Sequence, residues 1–144
     1  MGSAGSPASP PATDTGSPGV ACRRAYRKDH DQRGAIAKKS ALEGDWRPAF
    51  KDRDGAWTIQ LNKDPDSGGR TLAVRYTKGW EVTESLHDGT AEVLVLEGQF
   101  QVGSIVYGPG DYFCVPGGVT HGPERALTDV RLVVISHGPL TPGP

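Results

Sequence analysis

Cysteine is scarce in this chain: Cys22 and Cys114 are the only two among 144 residues. They stand in unlike settings, Cys22 in a polar stretch and Cys114 inside an apolar run. Such sparse, mismatched cysteines exclude a disulfide scaffold and fit a reducing compartment, so a cytoplasmic location is expected. Long hydrophobic runs are also missing. Nothing approaches the ~20 apolar residues of a membrane helix, and the start of the chain lacks the apolar core of a secretory leader, so no membrane partner is expected. Charge of one sign is missing too. A net charge of -1 gives no electrostatic case for nucleic acid. The basic stretch Arg23-Arg24-Ala25-Tyr26-Arg27-Lys28 is followed at once by Asp29 and Asp31, which makes it a solvated segment.

What the chain does have changes near residue 40. Met1 to about Val20 is almost wholly Gly, Ser, Ala, Pro and Thr, a composition that buries too little apolar surface to offset its ordering entropy. Residues 21–39 are charged with scattered alanines. The expected organisation is therefore a flexible low-complexity tail over 1–40 and one β-domain over 41–144. From Leu42 onward, short β-branched and aromatic runs alternate with glycine and proline. Trp57–Leu61, Thr71–Tyr76, Trp80–Ser85, Gln99–Val102, Ile105–Tyr107, Asp111–Val115 and Asp129–Ile135 read as strands. Glu92–Leu96 is apolar on both faces, so a strand buried on both sides is expected. Strands at short spacing with Gly/Pro turns and no helical period indicate an all-β, antiparallel sandwich or barrel.

Two blocks carry the chemistry. The first runs from Gly79 through Ser85, His87 and Glu92 to Gly98; the second runs from Gly110 through Pro116, Gly117 and Gly118 to His121. Two imidazoles and one carboxylate are the donors expected of a divalent metal site with open positions. Each residue also has a plainer role available. His87 could be a polar loop residue beside Asp88, and His121 could cap a turn. Glu92 is harder to dismiss, because a carboxylate among valines and leucines needs a cation, a hydrogen-bond partner or solvent. His30 and His137 read as exposed or structural, Cys114 as a small core residue, and Asp111 as a turn former.

These two blocks resemble the two motifs of the cupin superfamily. The stretch His87-Asp-Gly-Thr-Ala-Glu-Val-Leu-Val-Leu-Glu-Gly98, with Tyr107-Gly-Pro-Gly-Asp-Tyr112 and the Gly-Pro after His121, is similar to the group related to anti-sigma-factor sensor modules. The resemblance spans roughly Trp57 to Ile135. It implies a jelly-roll β-barrel, commonly a homodimer, with a metal held inside by His87, Glu92 and His121. Two positions depart from the pattern. Ser85 stands where a first histidine belongs, and Arg125 stands in place of a frequent asparagine.

Three functions from different classes follow. The first is a metal-dependent enzyme of the dioxygenase type, using Fe, Zn, Mn or Ni on a small organic substrate. The second is a non-catalytic sensor or ligand-binding module. The third is a metal-free cupin serving isomerisation, epimerisation or assembly, for which Ser85 is the sequence argument.

Overall fold

The structure is a computed structural model that describes residues 38–140. Of the expected tail over 1–40, only Lys38, Lys39 and Ser40 fall inside that range; the rest lies outside the described residues, as does Cys22. Within the range, no helix is long and apolar enough to cross a membrane.

Ten strands form: β1 (Arg47–Pro48), β2 (Ala56–Lys63), β3 (Arg70–Tyr76), β4 (Glu81–Val82), β5 (Ala91–Glu97), β6 (Phe100–Val102), β7 (Ile105–Tyr107), β8 (Tyr112–Val115), β9 (Glu124–Ala126) and β10 (Val130–Ser136). Every ladder is antiparallel. They make two sheets, a six-stranded one ordered β1-β2-β3-β10-β5-β8 and a four-stranded one ordered β4-β9-β6-β7. The expected all-β antiparallel class is therefore present. The expected closed barrel is not, because no ladder joins the two sheets into one ring.

Glycine sets the corners between strands. Gly98 turns the chain from β5 to β6 with φ +79, and a Cβ there would sit 2.0 Å from the Asp129 carbonyl oxygen, so only glycine fits. Gly108 and Asp111 close the β7–β8 turn: the Gly108 N–H donates to the Asp111 carboxylate at 2.8 Å and the Asp111 N–H to the Gly108 carbonyl at 2.9 Å. The core lies between the sheets, where Val74, Val93, Val95, Val130 and Leu132 meet Phe100 and Trp80.

Strand parity decides what faces that core. On β5, Ala91, Val93 and Val95 are buried, while Glu92 is half-buried and Leu94 is 39% exposed. The expectation of a strand buried on both faces is thus corrected: the outer face of β5 carries Glu92, Leu94 and Leu96, and none of the three is buried. On β8, Val115 faces in and Cys114 is an exposed free thiol, so Cys114 is not the core residue expected. Alternation along each strand gives both results. The segment from Trp80 to Ser85 is a strand only at Glu81–Val82. β9 went unrecognised because three residues, Glu124–Ala126, carry too short a pattern to read.

Candidate functional site

A cavity of about 760 Å³ opens between the two sheets, lined by residues of both. Most of its wall is apolar, including Leu72, Val93, Phe100, Phe113 and Val134. The polar side chains come from the segment before β5, the loop before β9, the start of β3, strand β2 and the Lys51-Asp52-Arg53 segment before it.

Backbone pairing explains why the two histidines meet. Ser85 and His121 form an isolated antiparallel bridge, with the Ser85 N–H donating to the His121 carbonyl at 2.8 Å and the His121 N–H to the Ser85 carbonyl at 3.0 Å. The Gly118 N–H then donates to the His87 carbonyl at 2.8 Å. Gly117 permits this approach, because a Cβ on it would lie 2.4 Å from the Asp88 carbonyl oxygen. The imidazoles of His87 and His121 end up with ring centroids 5.3 Å apart, tilted by 54°, and both line the cavity beside Ser85.

Glu92 does not join them. It projects from the opposite face of β5, where one carboxylate oxygen accepts from the Tyr112 hydroxyl at 2.7 Å and the other meets His137 Nε2 at 2.6 Å. The phenol bond, and then the imidazole, hold the Glu92 carboxyl below its ordinary range, and the same carboxylate pushes the Tyr112 phenol up to about 12. The partner that Glu92 required on β5 is thus a surface phenol and imidazole, not a cation in the interior. Ala91 takes the inward position at this end of β5 and lines the cavity. His137, expected to be exposed or structural, is 55% exposed and ties the end of β10 to β5 through this pair.

Glu124, at the start of β9, is the carboxylate that does stand beside the histidines. His121 Nε2 lies 2.9 Å from its Oε1, with the two side chains 12% and 13% exposed. The three-residue step from His121 to Glu124 crosses a Gly122-Pro123 turn, so no strand or helix spacing pointed to it. The sequence offered only a glutamate in a Gly-Pro-Glu segment. His121 Nδ1 lies 3.3 Å from the Val119 carbonyl. Satisfying both contacts needs both ring nitrogens protonated, and the bond to Glu124 raises the His121 pKa above 6.5 against the opposing effect of burial. His87 shifts the other way. Desolvation lowers it most, and the neighbouring His121 adds to that. Its buried Nδ1 has no hydrogen-bond partner.

This donor set does not fit the expected three-ligand metal centre. His87 and His121 are inside, Glu92 is outside, and both ring nitrogens of His121 are engaged by protein. Ser85 and Ala91 contribute no strong ligand from the inward positions. No group of three His, Cys, Asp or Glu among the described residues is arranged to hold a metal ion. Tyr76 also lines the cavity. Trp57 and Arg75 stack on each other at 4.5 Å on the outer face, and Tyr107 packs on Phe113 at 4.4 Å. Arg125, at the asparagine position of the second block, pairs with Glu81 across β4 and β9 at 2.8 Å.

A two-sheet antiparallel fold with histidines from two motif blocks meeting in its central cavity is that of a cupin. The chain belongs to the ChrR cupin-like domain family, whose pattern matches residues 37–141. No curated protein sequence matches it. Its fold is similar to that of an acetylacetone dioxygenase from Acinetobacter johnsonii, with TM-score 0.61 and 18% identity over 78% of this chain and 82% of that one. It is also similar to an RmlC-like cupin from Shewanella frigidimarina (TM-score 0.59, 21% identity, 72% of this chain and 93% of that one). KdgF from Halomonas sp. gives TM-score 0.52 and 22% identity over 65% of this chain and 88% of that one. At these identities the likeness is one of fold.

Proposed function

We propose that this chain is a ligand-binding cupin that takes a small oxygenated organic molecule into the cavity between its sheets, without a resident metal. One observation carries the reading. Among the described residues, three buried side-chain nitrogens lack a hydrogen-bond partner, Arg70 Nε, Trp80 Nε1 and His87 Nδ1, and all three belong to residues lining this cavity. A buried polar group left unpaired costs about 1–3 kcal/mol, and such groups in a fold are paired by water or a ligand unless something explains them. Three of them around one cavity of about 760 Å³, a volume in the range of small-molecule sites, argue for an occupant with several acceptor atoms.

The metal-dependent dioxygenase expected from the two motif blocks needs a carboxylate free to bind metal beside the two imidazoles. Glu124 is the carboxylate in reach, and it is committed to His121. Elemental analysis of protein purified without chelator, alongside His87→Ala, separates the two readings. The expected result is no stoichiometric metal in either protein, with small oxygenated fragments shifting the ring resonances of His87 and His121 by NMR. Near-stoichiometric Fe, Zn, Mn or Ni that disappears in His87→Ala would overturn the proposal and return the chain to the metal-dependent class.

A further inference from the structure

Arg70 opens β3 and its register fixes what it looks across. Arg70 pairs with Ser136 on β10, Ser136 with Ala91 on β5, and Ala91 with Val115 on β8. These four residues form one row across the six-stranded sheet, with strands about 4.8 Å apart. Arg70, Ala91 and Val115 all line the cavity. Ser136 is buried, and its hydroxyl turns away to the Gly138 carbonyl. The small Ala91 therefore leaves room between Arg70 and Val115 on the cavity side of this row. His87, with its unpaired nitrogen, lines the same cavity.

The charges of the lining sharpen this. Its cations are Lys51, Arg53 and Arg70, against the carboxylates Asp52 and Glu124. Arg53 lies over the Trp80 ring at 4.9 Å, and Glu124 is held by His121. Arg70 has neither a carboxylate nor an aromatic partner among the described residues, and its Nε is buried and unbonded. Arginine and tryptophan nitrogens only donate hydrogen bonds, so the unmet demand of this cavity is for acceptors. A guanidinium is matched best by a planar anion with two acceptor oxygens, that is, a carboxylate. Much of the remaining wall, with Phe100, Phe113, Val134 and Leu132, is apolar.

We infer that the ligand is a small organic monocarboxylate, its carboxylate on Arg70, its apolar body over Ala91, and its far end toward His87. This rests on the reading of the cavity as a ligand site and adds the chemical class. The test is calorimetric titration of the full chain with phenylacetate and hexanoate, each against its neutral amide, in wild type, Arg70→Gln and Arg70→Lys. A charge-assisted bond in a desolvated site predicts that the acids bind roughly ten- to a hundredfold more tightly than the amides. Arg70→Gln should abolish that preference, and Arg70→Lys should restore part of it. Acids and amides binding alike in wild type would overturn the carboxylate assignment and leave the ligand site standing. If neither acids nor amides bind down to about 1 mM affinity while the protein melts normally, the ligand site itself fails, and the inference falls with it.

Discussion

Glu124→Gln keeps the shape of the group beside His121 and removes its charge. The contact is 2.9 Å long between side chains 12% and 13% exposed, so it is largely desolvated. When the ring is an imidazolium, such a charge-assisted bond contributes about 1.5–3 kcal/mol; with a neutral ring the contribution falls toward about 1 kcal/mol. The His121 pKa is raised above its ordinary 6.5, first by the bond to Glu124. A raised folded-state value means that the native protein holds the proton more tightly than the unfolded chain. The stabilisation is complete below pH 6.5 and is lost as pH rises through the folded value. His87 responds in the same sense, because Glu124 is the influence that opposes its lowering, and removing the charge makes protonation there still less favourable. Thermal melts of wild type and Glu124→Gln should therefore diverge more at about pH 5.5 than at about pH 8.5. With about 4–8 °C per kcal/mol for a domain of 60–100 residues, the variant should melt roughly 6–24 °C lower on the acid side. Equal losses at the two pH values, or none at acid pH, would refute the pairing.

Gly98→Ala places a Cβ 2.0 Å from the Asp129 carbonyl at φ +79; the unfolding free energy from urea denaturation should drop by on the order of 3 kcal/mol, and an unchanged value would mean that the β5–β6 corner does not need glycine. Ser85→His alone should not create a metal centre, because the β5 carboxylate faces outward. Ser85→His combined with Ala91→Glu should give a protein whose Tm rises with added Zn²⁺, and the absence of any rise would mean that residues 85 and 91 do not share the interior with His87. Glu92→Gln should bring the Tyr112 phenol down from about 12 toward its ordinary range in an absorbance titration, while binding of small molecules in the cavity stays as in wild type. Loss of that binding would put Glu92 back inside.

The sequence alone settled the class of fold and one half of the site. Apolar alternation broken by Gly and Pro defined β2, β3, β5, β7, β8 and β10 to within a residue or two, because those periods come directly from side chains alternating across a pleated strand. The two motif blocks likewise marked His87 and His121, and the tight glycines at 117 and 118 supplied the close approach that brings them together. Parity within a strand apolar on both faces was undetermined. Val93 and Leu94 look alike to a pattern, so whether Ala91 or Glu92 turned inward depended on which face of β5 met the second sheet. The same indeterminacy hid the exposure of Cys114. Glu124 and Arg70 were invisible for a different reason. Each reaches the cavity from a strand end far along the chain, and what makes it matter is its partner or lack of one: His121 beside Glu124, and no carboxylate beside Arg70. Those are relations between residues distant in sequence, and only the packing of one sheet against the other creates them.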